Sequence, residues 1–269
     1  MTSILTNNGA MVALQTLKSV NSNLEETQNQ ISTGKEVGSA KDNSAVWAIS
    51  KSMESDIQAY EAVSDALDFG EATVAVASSG MEQIVETLKD MRELAVAGVS
   101  QNVDHDKIEA DLAKKREQIE SIIDSASFNG ANLLDDNVTA QLDVLGGLDA
   151  ASDTITITGI DSSSSLNTAG MTSLTSANAA TVLSEIETML SFAIDSAAQL
   201  GADSNRLSDQ NDFVSKLNDS LKSGVSTMAD TNMEEASARL KALQTQQQLA
   251  VQSLSIANQA PSTLQQLFR

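Results

Sequence analysis

The sequence predicts a mainly α fold: a long antiparallel helical bundle with terminal coiled-coil helices and a small β-hairpin region. Three observations carry this expectation. The 269 residues include one proline, Pro261, so the commonest helix breaker is missing from almost the whole chain. Apolar residues recur at alternating intervals of three and four over long stretches, the spacing of a buried helical seam. Aromatic residues make up only 3%, so burial must come from narrow stripes of Leu, Ile, Val, Met and Ala rather than from a broad core of rings.

The first seam runs Ala10, Ala13, Leu17, Val20, Leu24, Thr27 and Ile31, a heptad helix at the N-terminal end. "STGKEVGSAKDNSA" interrupts it: Gly34 and Gly38 permit a turn, and Ser39 or Asp42 can cap a new helix. From Ile49 the same count passes through Met53, Tyr60, Leu67, Val74, Met81, Leu88 and Met91 to Ala95, broken only by Asp56 and Gly70. The expected helix of about 55 residues would be about 80 Å long at 1.5 Å per residue. After a break near 98–104, Ile108, Leu112, Ile119, Ile122 and Ala126 mark a third helix, ended by "FNGANLL" with its Asn129-Gly130 turn signal.

"VTAQLDVL" and "DTITITGI" then alternate apolar with polar residues and are separated by "GGLDAAS", the pattern of a short β-hairpin. "DSSSSLNTAGMTSLTSANAA" reads as a low-complexity Ser/Thr loop. Helical spacing resumes at Leu183, Ile186 and Leu190 and continues through Leu207, Val214 and Val225. A last seam follows at Met233, Ala236, Leu240, Leu243, Gln247, Ala250, Leu254 and Ala257. The expected organisation is a terminal helix and linker turn over 1–40, helices over 41–134, the hairpin and Ser/Thr loop over 135–180, a further helix over 181–228 and the second terminal helix over 229–269. A seam at each end makes each terminal helix the simplest partner for the other.

The formal net charge of −21 is spread unevenly. No Asp or Glu occurs in residues 1–24 or 236–269, so the interior from Glu25 to Glu235 holds all 37 acids against 12 bases. Such a body repels nucleic acid and anionic membrane, and neither is an expected partner. The acid-free ends can be brought together in many copies without accumulating repulsion. Cysteine is absent, which excludes disulfides and thiolate metal sites. The opening "MTSILTNNGAMVALQTLKSV" lacks the basic and apolar regions of a cleaved secretory signal, and no apolar run suits a membrane span. The expectation is a soluble protein, or one that leaves the cell without a cleaved signal.

No constellation for catalysis is visible, and neither a cofactor nor a metal is expected. His105 in "NVDHDK" is the sole histidine and reads as a solvated loop residue. The acids of "SDQNDF" lack the glycine and terminal glutamate of a calcium loop and read as a solvated helix face. Trp47 reads as a packing residue at a helix start, and Met53, Met81 and Met91 as core.

Four strings carry a family resemblance. "ISTGKEVGSAKDNSAVWAIS", "MRELAV", "SFNGANLL" and "SIANQAPSTLQQLFR" occur in the order and at the spacing found in bacterial flagellins, and cover roughly residues 1–135 and 180–269. Trp47 and "STGK" resemble the alphaproteobacterial branch, and the short middle resembles a minimal form without large surface domains. The resemblance implies a structural subunit of the flagellar filament, a homopolymer that is secreted and extracellular. It implies that 1–40 and 229–269 pair as inner-tube helices, with outer-tube helices over 41–134 and 181–228.

Leu17, Leu24, Ile31, Leu243, Leu254, Leu267, Phe268 and Arg269 are then the expected polymerisation residues. Gly34, Gly38, Lys41 and Asp42 form the turn linking inner and outer domains, where Glu36 departs from the neutral or basic residue common in the family. A flagellar export chaperone and junction and cap proteins are the implied partners. Arg92, Glu93 and Leu94 match a helical face that many flagellins present to a toll-like receptor. Asp90 does not, which implies weak recognition. Crowding of inner-tube helices also explains the acid-free ends, because each buried carboxylate would meet its own copies without a partner. A hook–filament junction protein of the same export system and an acidic helical coiled-coil binding module are the alternative readings. The uninterrupted "RELAV" and "NGANLL" speak against the first, and the acid-free termini against the second.

Overall fold

The structure is a computed structural model that describes residues 7–267 apart from 136, 150 and 167, and the side chains of these residues apart from 169 and 260–267. Helix α1 spans Asn8–Thr33, α2 Ser44–Gly98 and α3 His105–Ser125; strands β1 (Gln141–Leu145) and β2 (Thr154–Thr158) follow, then α4 (Ser162–Ser165), a 3-10 turn at Thr168–Gly170, α5 (Ala179–Ala229) and α6 (Met233–Leu267). The expected class, mainly α with one small antiparallel sheet, is the observed one. Two compact units form: a terminal unit of Met1–Ser55 with Ser220–Arg269, and a central unit of Asp56–Asp219. The terminal unit holds eight acids and eight bases, the central unit 29 acids and eight bases, so the entire net charge of −21 belongs to the central unit.

Within the central unit, α2 and α5 run antiparallel, since Ser64 donates to Asn211 (2.7 Å) at one level and Arg92 meets Glu187 (3.2 Å) at another. Helix α3 returns along α2, with Lys115 Nζ 2.7 Å from Asp90. The seam positions Val63, Leu67, Val74, Met81, Leu88, Met91 and Ala95 are buried against Leu112, Ile119, Val182, Ile186, Ala193, Leu200, Leu207 and Val214. His105 differs from its solvated reading: its Nε2 lies 3.0 Å from the Gly98 carbonyl oxygen, an acceptor that only an N–H can satisfy, and so closes the C-terminal end of α2. Asp209 and Asp212 are exposed, as expected of a solvated face.

The hairpin pairs Leu142 with Ile157 and Val144 with Ile155, and Val144, Ile155 and Ile157 enter the central core. The break at Gly70 in the α2 seam has a cause here. A Cβ at Gly70 would stand 2.7 Å from Val144, so the strand packs on bare helix backbone. Gln210 on α5 donates to the Gly146 carbonyl (2.6 Å) and ties the hairpin's far end.

Asn129 and Gly130 both have positive φ, 50° and 85°, between the mutually bonded Phe128 and Ala131, a two-residue turn of the kind that Asn-Gly favours. Next to it Asn132 is buried and bonded at both ends of its amide: its side chain donates to the Ile123 carbonyl at the end of α3 (2.7 Å) and accepts from Leu134 N–H (2.9 Å).

The Ser/Thr-rich stretch departs from the expected loop. Leu166, Met171 and Leu174 are buried in the core, and carboxylates hold the segment down: Glu109 accepts from Leu174 N–H (2.7 Å), Glu120 from the Thr168 hydroxyl (2.9 Å), and Glu185 from both the N–H and hydroxyl of Thr172. Their spacing has neither helical nor strand period, so a periodicity test passes over them.

Candidate functional site

The terminal unit is built on α1 and α6. Asn7 donates to the Ala257 carbonyl (2.7 Å), Gln247 to Asn21 (2.8 Å), and Thr231 N–H to the Gly34 carbonyl (2.9 Å), so the two helices run antiparallel in register. The α1 seam positions from Ala10 to Ile31 are all buried or half-buried, and so are those of α6 from Ala236 to Ala257. Met233, 46% exposed, is the exception. The innermost layers are modest in size: Val20, Thr27, Ala236, Leu243 and Ala250. Thr27 fits this seam because its hydroxyl donates back to the Asn23 carbonyl (2.8 Å) and leaves the methyl for packing.

Of the expected polymerisation residues, Leu17, Leu24, Ile31, Leu243 and Leu254 therefore lie inside the α1–α6 pair. Leu267 lies in α6 with its side chain outside the described residues, as are Phe268 and Arg269 altogether. Sequence reasoning passed over a second apolar set. Met11 (64% exposed), Val12 and Leu14 on α1, with Leu249, Val251 and Ile256 on α6, have no seam to enter. The signal was present as apolar residues at heptad positions flanking the seam, in "AMVAL" and "QQLAV".

The linker is more ordered than its composition implies. Gly34 ends α1 in the left-handed conformation (φ 70°), a backbone that penalises any side chain. Lys35 then forms an isolated antiparallel backbone β-bridge with Asp230, and Glu36 and Val37 both donate to the Ala229 carbonyl, so the α1–α2 linker pairs with the α5–α6 linker. Lys35 Nζ also lies 2.9 Å from Glu54, which Lys51 contacts too; Lys51 and then Lys35 hold that carboxyl below its ordinary range.

The cap of α2 is Asn43, which accepts from Val46 N–H (3.2 Å), rather than Ser39 or Asp42. Asp42 instead closes the preceding turn, accepting from the Ser39 N–H (2.9 Å) and hydroxyl (3.0 Å), and these bonds lower its pKa. Gly38 has no left-handed backbone, and Lys41 is exposed without a hydrogen bond or ion pair among the described residues. On the "LKDMRELAV" face, Leu94 packs against the core and Glu93 is exposed, while Asp90 and Arg92 are taken up by Lys115 and Glu187.

Two family models match the stretches that hold these terminal helices. Residues 4–139 match the model of the bacterial flagellin N-terminal helical region, and residues 183–268 that of the bacterial flagellin C-terminal helical region. The chain belongs to the flagellin family. A flagellin of Brucella melitensis is 40% identical over 282 residues, covering 100% of both chains, and flagellin FljM of Caulobacter vibrioides is 38% identical over 272 residues, covering 100% of this chain and 99% of that one.

Flagellin A of Rhizobium meliloti is 31% identical over an alignment of 395 residues covering 100% of both, so it carries about 126 residues (395 less 269) without counterpart here. These relatives bear out the alphaproteobacterial resemblance. The crystal structure of Bacillus cereus flagellin shares the fold with a TM-score of 0.50 over 54% of this chain and 86% of that one, at 24% identity. The protein is thus a structural subunit of the bacterial flagellar filament and serves motility, and this reading stands over the junction-protein and binding-module alternatives. Among the described residues no helix is long and apolar enough to cross a membrane, and no cluster of ligating side chains could hold a metal ion.

Proposed function

We propose that this flagellin polymerises through its terminal unit. The α1–α6 pair forms the inner-tube element, and the exposed Met11, Val12, Leu14, Leu249, Val251 and Ile256 pack against other copies of the chain. Residues 41–134 and 181–228 form the outer-tube helices, with the hairpin and Ser/Thr segment over 135–180. The observation that supports this reading is the unit's lack of net charge combined with apolar residues left over after its own seam is filled. Contacts repeated around an axis favour such a surface, because apolar burial accumulates while like-charge repulsion does not. Concentrated purified subunit given preformed seeds is expected to grow long filaments visible by electron microscopy; a dispersed solution after seeding would overturn the reading.

The subunit reaches the cell exterior by flagellar export, with a chaperone, junction proteins and a cap as partners, and its role is structural without a catalytic step. The paired linkers set subunit orientation. Gly34→Val forces a β-branched residue into the left-handed region at a cost of roughly 1–2 kcal/mol. It is expected to change filament shape or swimming before it changes circular dichroism, and Asp42→Ala to do so more mildly. Unchanged swimming in both variants would show the linker to be passive.

The Asp90–Leu94 face engages a toll-like receptor weakly in this reading, since Arg92 is already paired and Asp90 presents a carboxylate. Asp90→Arg also frees Lys115 and raises the positive charge of the face. Receptor-reporter cells are expected to respond weakly to the unmodified monomer and more strongly to the variant; a strong response to the unmodified monomer would count against it.

A further inference from the structure

We propose that Asn129 is a site of spontaneous covalent modification, at which the Gly130 backbone nitrogen closes on the Asn129 side chain and the residue passes through a cyclic imide to aspartate and isoaspartate. The turn leaves the reacting groups accessible. Asn129 and Gly130 are both exposed. Neither the Asn129 side-chain amide nor the Gly130 N–H has a hydrogen-bond partner among the described residues. A Cβ at Gly130 would meet nothing within 4 Å, so that side of the residue is open. Glycine after the asparagine leaves the attacking nitrogen without the hindrance of a side chain.

The step is balanced with water alone. Gly130 N bonds to Asn129 Cγ, the Cγ–Nδ2 bond breaks, and the Gly130 amide proton departs with the amino group as ammonia. Water then opens the five-membered imide at one of its two carbonyls. Opening at Cγ gives aspartate. Opening at the main-chain carbonyl gives isoaspartate, in which the backbone runs through Cβ and Cγ. Nothing is oxidised or reduced.

Other asparagines lack this combination. Asn8-Gly9 is the same dipeptide but forms the first turn of α1, directly after the Asn7 cap, where helical backbone holds the asparagine. Its neighbour Asn7 has both ends of its amide engaged, with Ala10 N–H at 3.1 Å and the Ala257 carbonyl at 2.7 Å. Asn132 is buried and doubly bonded.

The two products differ in consequence. Aspartate suits the same turn, because Asp-Gly also takes positive φ at both positions. Isoaspartate inserts an extra main-chain atom between Phe128 and Ala131 and breaks their paired hydrogen bonds. Leu133 and Leu134, a few residues on, are fully buried, and Asn132 there closes the end of α3. The modification therefore loosens the junction between α3 and the hairpin, and it accumulates with the age of the subunit.

The test is ageing of the full-length folded protein in warm, mildly alkaline buffer. Peptides are then mapped by mass spectrometry, and isoaspartate is labelled by an isoaspartyl methyltransferase with radioactive S-adenosylmethionine. The peptide containing Asn129 is expected to gain about 1 Da and take the label. Its rate should exceed that of the peptide containing Asn8 by about tenfold or more. Asn129→Gly, which suits the same turn, is expected to melt like the unmodified chain while losing the label. The proposal is overturned if the Asn129 peptide stays unmodified while an unstructured peptide of the same sequence converts. It is overturned equally if Asn8 reacts as fast, or if Asn129→Gly leaves the label unchanged.

Discussion

Deleting residues 240–269 is expected to abolish filament growth while leaving a soluble, largely helical subunit. The deletion removes most of α6, including Leu243, Ala250 and Leu254, and so strips the seam partner from Leu17, Val20 and Thr27 on α1. Burial of Leu243 alone contributes roughly 1.5–3 kcal/mol. An isolated α1 of 26 residues with so few large apolar side chains does not hold its helix by propensity. The central unit retains its complete core, from Val63 to Val214, and should keep its helicity. Sedimentation should show monomer, circular dichroism should fall only by the share of α1 and α6, and seeds should not elongate under the electron microscope. Filaments from the truncated chain would show that the terminal pair is not the polymerisation element.

Gly159→Ala is expected to be the most damaging single substitution outside the terminal unit. Gly159 N–H donates to the Ala140 carbonyl (2.9 Å), and a Cβ there would fall on the Thr139 carbonyl oxygen, far inside van der Waals contact. Backbone cannot swing away as a side chain can, so the strand pair must part, and with it the packing of Val144 and Ile157. A cost of about 3 kcal/mol or more follows, or a fall in melting temperature of about 10 °C for a unit of this size. Gly201→Ala is the contrasting case. That glycine sits inside α5 with nothing within 4 Å of an added Cβ, and alanine there should stabilise by roughly 0.5–1 kcal/mol. Equal thermal melts for the two variants would refute the steric argument.

The helices were legible because a 3-4 repeat is a local signal. Ala10 to Ile31 and Ala236 to Ala257 fall on the buried side of their helices, and α2 covers 55 residues, with its seam buried from Val63 to Ala95 although Ile49 at its start is exposed. The hairpin was legible through period-two alternation, with Val144 and Ile155 facing inward. What escaped depends on contacts distant in sequence. Leu166, Met171 and Leu174 look like loop residues until Glu109, Glu120 and Glu185 supply acceptors for their segment.

Bridging of Lys35 to Asp230 joins two linkers almost two hundred positions apart, with nothing in either string to announce it. Asn43 took the cap expected of Ser39 or Asp42 because Asp42 was already occupied by Ser39. The seam leucines were found, yet the apolar residues left facing outward were not, since a seam search credits only one face of a helix.

The partition of charge between the units has a mechanical consequence for the finished filament. Each subunit contributes a terminal unit of zero net charge and a central unit of −21, so the polymer is a polyelectrolyte rod whose charge density is set entirely by its central units. Such a rod carries a cloud of mobile cations, and two rods brought alongside must compress both clouds. The resulting osmotic pressure acts over a Debye length, about 8 Å at physiological ionic strength. Filaments brought alongside one another are therefore expected to repel in monovalent salt and to associate as divalent salt replaces it.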